Sequence, residues 1–378
     1  MSAVPSVNLA PALELLALAT VIAALPLAVW AWRHRGEGAR SRLVALAGLT
    51  VFLTADLIVF GSFTRLTDSG LGCPDWPGCY GAASPLGAAE SIAAAQQAQP
   101  SGPVTFTKAW IEMVHRYLAM TVGALVLVQA VLAWRARRAL GVTAAWACAA
   151  LGWVVVQGLF GKYTVTLKLY PAIVTLHLLG GMLLLGLLVA QLETVRRLPL
   201  AAPPRAAGVV LGLVLMQIAL GGWVSTNYAV LACRGFPQCN GQWWPEMDFA
   251  QGFAVLRELG RGRGEQFLPF PALVAIQMAH RLMAWVVAAA VIALSWRLWR
   301  TADRTARLYA LLIGGLLVLQ VASGLSNVLL DWPLAAALLH SACAAGLVGL
   351  LVSLWCRSRA TPVGAPLPAQ GQFVRQHA

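Results

Sequence analysis

Apolar residues run through this chain in long unbroken blocks, at about 9–32, 43–63, 111–134, 140–160, 171–193, 206–226, 272–296, 306–330 and 333–356. A helix needs roughly 20 apolar residues to cross the hydrocarbon layer of a bilayer, so each block predicts one membrane-spanning helix. Period-two alternation with aromatic girdles is absent, which excludes a membrane β-barrel. The first block is too long, and too closely followed by further spans, for a cleaved signal peptide. The pattern predicts an all-α integral membrane protein of nine spans.

Composition agrees with that pattern. The chain is 59% hydrophobic and 11% charged, with a mean hydropathy of +0.73, whereas soluble domains average about 25% charged residues. A net charge of +13 would suit nucleic acid if it formed one patch, but it is spread along the chain. Arg33, Arg35, Arg40 and Arg42 share one connection, and Arg135, Arg137 and Arg138 another. Arg196, Arg197 and Arg205, then Arg297, Arg300, Arg304 and Arg307, then the tail with Arg357, Arg359 and Arg375 continue the series on alternate connections. The positive-inside rule makes that side cytoplasmic. The C-terminus is therefore expected inside and, with nine spans, the N-terminus outside.

The opposite side carries the long connections, 64–110 and 227–271, and four of the seven cysteines lie there, in "CPDWPGC" (Cys73, Cys79) and "CRGFPQC" (Cys233, Cys239). Paired cysteines in an extracytoplasmic loop are most simply disulfides. A metal site fits less well, because the spacing is not Cys-x-x-Cys and no histidine lies nearby. Cys148, Cys343 and Cys356 fall in or at the ends of spans, where an inert buried thiol is expected. Trp76, Trp243 and Trp244 in the outer loops read as interfacial anchors.

An internal repeat organises the chain. "FGSFTRLTDSGLGCPDWPGCYG" (60–81) parallels "LGGWVSTNYAVLACRGFPQCNG" (220–241), and "EMVHRYLA" (112–119) parallels "QMAHRLMA" (277–284). "VVQGLFGKYTV" (155–165) then resembles "VLQVASGLSNV" (318–328), and "TLHLLGG" (175–181) matches "LLHSACA" (338–344). Two pseudo-symmetric four-helix bundles follow, with domain limits of 43–205 and 206–356. Residues 1–42 hold the additional N-terminal transmembrane helix and a cytoplasmic loop, and 357–378 form a cytoplasmic tail.

The repeat sets His115 and His177 in one half and His280 and His340 in the other, all four to eight residues past the outer edge of their predicted spans. Ionisable residues inside spans point to function by default. A neutral imidazole bonded to a neighbouring helix would account for any single one, but less well for four paired by the repeat. Zinc would require three or four ligands, whereas two histidines on facing helices of one bundle suit the axial positions of a haem iron. Arg116 and Arg281 directly follow a histidine; a guanidinium there can pair with haem propionates or snorkel to the interface. Gly180 and Gly181, and Gly314, Gly315 and Gly346, would let helices approach a flat macrocycle or each other. Glu112 lies one helical turn from His115, and its counterpart beside His280 is Gln277. A carboxylate is costly to bury, so the first half has a reason to keep it. His34 and His377 read as ordinary surface residues.

"GSFTRLTDSGLGCPDWPGCYG", "EMVHR", "TLHLLGG", "QMAHR" and "LLHS", in this order over about residues 43–356, resemble the haem A synthase family, membrane enzymes that oxidise haem O to haem A for cytochrome oxidase. The resemblance implies an eight-span core. It implies that His280 and His340 ligate a retained haem b for electron transfer, and that His115, His177 and catalytic Glu112 serve the substrate haem O. It also links the Cys73–Cys79 pair to activity or haem handling. A bacterial-type inner membrane and a partnership with the farnesyltransferase that makes haem O are expected with it, while the oligomeric state stays open. The span at 9–32 departs from the eight-span pattern and has no expected role. A di-haem b-type electron carrier would also use paired histidines but would not need Glu112 or the cysteine loops. A transporter would fit less well, since no run of charges crosses the bilayer. No Walker, dinucleotide or iron–sulfur motif is present.

Overall fold

The computed structural model describes residues 10–360 apart from 141–142 and 263–265. Arg375, His377 and most of the expected tail lie outside the described residues. Nine helices among the described residues are long and apolar enough to span a membrane. They are α1 (Ala10–Arg33), α2 (Ala39–Leu66), α4 (Phe106–Arg135), α6 (Thr143–Thr166), α7 (Pro171–Arg196), α8 (Pro204–Thr226), α10 (Phe270–Trp299), α11 (Arg304–Leu329) and α12 (Leu334–Arg359). Three short helices fall between them: α3 (Ala89–Ala98), α5 (Arg137–Leu140) and α9 (Phe249–Gly252). No β-strand is formed among the described residues, only isolated bridges.

The helix starts have identifiable local causes. Thr105 accepts from the Lys108 N–H at the start of α4, and Asp303 accepts from the Thr305 N–H at the start of α11; both are side-chain N-caps. Helices α7, α8 and α10 each carry proline in the first turn, where no intrahelical donor is lost. At 30 residues, α4 and α10 are roughly 45 Å long at 1.5 Å per residue, longer than the hydrocarbon layer. Their N-terminal ends follow the long connections that carry the cysteine pairs.

Packing places α2, α4, α6 and α7 in one closed ring, each helix touching the next, and α8, α10, α11 and α12 in a second. The rings meet along α7, α8, α12 and α2. Their largest common core gathers Leu185 and Val189 from the first with Val214, Leu294, Val348 and Leu351 from the second. Polar contacts fasten both ends of this seam. At the end that carries the cysteine loops, the Tyr228 hydroxyl donates to Asp68 at 2.7 Å and Arg65 stacks on the Tyr228 ring. At the opposite end, the Ser353 hydroxyl donates to buried Glu193 at 2.7 Å.

Helix α1 stands apart from both rings and packs against α4. Its Leu15 is buried in one cluster with Cys73, Cys79, Ile92 of α3, Ala109 and Met113. The additional helix therefore braces the outer end of α4 and the loop folded over it. The lipid-facing surface is apolar, with Leu13, Val21, Phe52, Val155, Val209, Ile292 and Val318 all exposed, as expected where hydrocarbon replaces water.

Candidate functional site

Each ring carries its two histidines on opposite helices. His115 on α4 faces His177 on α7 across the first ring. His280 on α10 and His340 on α12 do the same in the second. The four residues lie six to ten positions inside the loop-bearing ends of their helices; only His115, on a helix that starts earlier than its apolar block, is a turn deeper than the span limits read from the sequence. All four rings are half-buried.

A glycine of the neighbouring helix faces each imidazole, and at three of the four a Cβ would crowd the ring. A Cβ placed on Gly61 would lie 3.0 Å from His115 Cε1, and one on Gly221 3.1 Å from His280 Cε1. On the other side, a Cβ on Gly161 would lie 3.7 Å from His177 and one on Gly324 3.1 Å from His340. Phe60, one residue before Gly61, stacks parallel to His115 at 6.3 Å. These four glycines were not singled out in the sequence, although the repeat aligns Gly61 with Gly221 and Gly161 with Gly324. Of the glycines expected to let helices approach a flat macrocycle or each other, Gly180, Gly181 and Gly346 lie against a neighbouring helix. Gly180 faces Gln157, Gly181 faces Ile58, Gly346 faces Leu316, and Gly314 and Gly315 meet no histidine.

The hydrogen-bond partners differ between the rings. The buried Nδ1 atoms of His115 and His177 have none. His280 Nδ1 lies 3.0 Å from the Gln217 amide, and His340 Nδ1 lies 3.1 Å from both Ser323 Oγ and the Gln320 carbonyl. Gln217, Gln320 and Ser323 are further residues that the sequence reading missed.

Above the histidines, each outer loop closes with a disulfide, Cys73–Cys79 and Cys233–Cys239. The arginine after the first histidine of each half reaches up into its loop. Arg116 donates to the carbonyls of Asp75, Pro77 and Gly78, and Arg281 to those of Cys233, Gly235 and Gln238. In this structure the guanidinium groups engage loop backbone. Glu112 is buried. One carboxylate oxygen accepts from the Cys73 N–H at 2.8 Å, and the other pairs with Arg116. Gln277 donates to the Val230 carbonyl at 3.2 Å, and its Oε1 has no partner. Within the first loop, Asp75 accepts from the Tyr80 and Gly81 N–H groups. Burial, with Asp75 nearby, raises the Tyr80 phenol above its ordinary range.

Of the remaining cysteines, Cys343 is buried and Cys356 half-buried, but Cys148 is exposed on the outer face of α6, contrary to the expectation of burial. His34 sits on an inner connection against Glu37 at 2.9 Å. Trp76, Trp243 and Trp244 are exposed. Thiol alkylation of unreduced, denatured protein is expected to modify only Cys148, Cys343 and Cys356. Labelling of Cys73 or Cys79 in native membranes would count against the bridge.

The family model described as cytochrome oxidase assembly protein, COX15-CtaA, matches residues 44–352. A haem A synthase of Shewanella oneidensis is 36% identical over 333 residues, covering 85% of this chain and 99% of that protein. A haem A synthase of Maricaulis maris is 30% identical, covering 85% of this chain and 98% of that protein. One from Rhizorhabdus wittichii is 29% identical, covering 81% and 90%. The match takes in both histidine pairs, both cysteine loops and eight of the nine long helices. The chain belongs to the COX15-CtaA family of cytochrome oxidase assembly proteins.

Proposed function

We propose that this protein is a haem A synthase, an oxidoreductase that converts a ring methyl of haem O to the formyl group of haem A. The first ring, within 43–205, is the substrate unit, with His115 and His177 as the iron ligands of haem O. The second, within 206–356, holds haem b through His280 and His340. The observation that carries this reading is the pair of imidazoles set across each ring, with a carboxylate beside only one pair. The donor set fits haem. Among the described residues no three His, Cys, Asp or Glu side chains converge, so a metal here must bring most of its own ligands. A porphyrin iron does so and needs only two axial imidazoles.

Bound haem b would supply a redox centre that takes up the electrons leaving the substrate. The chain does the rest. Its apolar helices exclude water, the glycines admit the imidazoles, and the arginine-held loops close the outer end. Methyl-to-formyl conversion removes four electrons from one carbon in two successive two-electron oxidations and adds one oxygen atom, from water or O2, with an electron acceptor outside the chain taking the electrons onward. Glu112 lies one helical turn from His115 and is paired with Arg116. It stabilises positive charge developing at that carbon, or takes a proton from it. The basic connections put the C-terminus in the cytoplasm and the disulfide loops outside a bacterial-type inner membrane. The farnesyltransferase that makes haem O is the natural supplier of substrate.

Chromatography of haems extracted from cells with and without the gene tests this. Loss of haem A with build-up of haem O is expected on deletion. An unchanged haem profile overturns the proposal.

A further inference from the structure

Both imidazoles of the second ring are held by polar groups of the adjacent helix, and neither imidazole of the first ring is. Gln217 on α8 contacts His280 Nδ1 and also donates to the His280 carbonyl at 3.1 Å. Gln217 Oε1 has no partner of its own; a half-turn of the amide would offer it to an Nδ1–H, exchanging the bond to the His280 carbonyl for one to the ring. On α11, Ser323 and the Gln320 carbonyl flank His340 Nδ1. The Gln320 amide touches His340 Nε2 at 3.0 Å, a position that an iron bond would take over.

The repeat identifies what stands at the same places in the first ring. Leu57 replaces Gln217, and Phe160 replaces Ser323. Neither side chain can bond a ring nitrogen. Gln157, the counterpart of Gln320, turns away and lies over Gly180, in space that a Cβ would fill; the second ring has Cys343 there. The His177 ring also stands farther from its neighbouring glycine than His340 does, by the Cβ separations of 3.7 and 3.1 Å.

A hydrogen bond to the outer nitrogen of a ligating imidazole fixes ring orientation and strengthens the ligand, and its loss typically costs about 10–100-fold in metal affinity. A cofactor must stay, whereas a substrate must enter and a product must leave. We infer that Gln217 and Ser323 are positioning residues that make the second ring the retentive one, and that Leu57 and Phe160 leave His115 and His177 free to turn, so that haem exchanges from the first. The inference rests on the haem assignment proposed above.

The test uses the purified full-length protein and follows transfer of bound haem b to excess apomyoglobin by absorbance, together with its midpoint potential. Gln217→Leu and Ser323→Ala are each expected to keep a low-spin spectrum while releasing haem about tenfold faster. Ser323→Ala should also raise the potential, because His340 loses an acceptor and donates less strongly to oxidised iron. In a His280→Ala background, which empties the second ring, Leu57→Gln is expected to raise the amount of haem retained above that of the parent. Unchanged release from both single variants at full haem content overturns the inference while leaving the haem assignment intact. No gain from Leu57→Gln likewise counts against it. A wild-type protein with no haem on His280 and His340 removes the assignment itself.

Discussion

Glu112→Gln is expected to abolish haem A formation, by about a hundredfold or more, while leaving membrane insertion and haem b content unchanged. The glutamine keeps an acceptor for the Cys73 N–H, which Glu112 now holds at 2.8 Å. Its amide NH2 would face the Arg116 guanidinium in place of the present ion pair. Removing one member of a buried ion pair costs about 3–5 kcal/mol when the other is left bare. Arg116 is not left bare, since it retains three loop carbonyls, so the loop should persist and the loss should fall on chemistry. Thiol labelling checks this directly: the Cys73–Cys79 bridge should stay closed in the variant. Gln277→Glu in the other ring should be much milder, because Gln277 contributes one 3.2 Å bond to Val230 and Arg281 is already held by its own loop. Near-normal haem A yield from Glu112→Gln would show that the carboxylate is not the catalytic difference between the rings.

His280→Ala or His340→Ala should lose the stably bound haem b, seen as disappearance of a low-spin six-coordinate spectrum. With two imidazoles as the only protein ligands, removing either leaves iron five-coordinate and the macrocycle held by packing alone. The same substitution at His115 or His177 should leave that spectrum in place and remove haem A formation instead. A His280→Ala protein that keeps its full haem b content would refute the assignment of the second ring.

The nine spans were legible because crossing hydrocarbon imposes a length and a polarity that few residues can violate. Their ends were less so. The apolar block at 111–134 became Phe106–Arg135, since a helix stops at its cap, here Thr105, and not at the membrane surface. Helix α3 was not foreseen. It is short, and its buried Ile92 is fixed by the disulfide loop and α1 around it, contacts that lie far apart in sequence. The bracing role of α1 against α4 was hidden for the same reason, as membrane helices are apolar on every side and their sequences do not mark which side meets protein.

The sequence by itself determined the class of protein, the repeat, the four intramembrane histidines, the two cysteine pairs and the carboxylate at 112 that the second half replaces with glutamine, because each is a costly residue or a recurring pattern that a one-dimensional reading detects. Tertiary structure alone decided what each of them touches. It set the histidines on opposite helices of each ring, fitted Gly61, Gly161, Gly221 and Gly324 against them, and turned Arg116 and Arg281 into the loop carbonyls. It also gave His280 and His340 the partners that His115 and His177 lack. The physical reason is that contacts between helices depend on rotation and depth, which an all-round apolar sequence leaves free and only packing fixes.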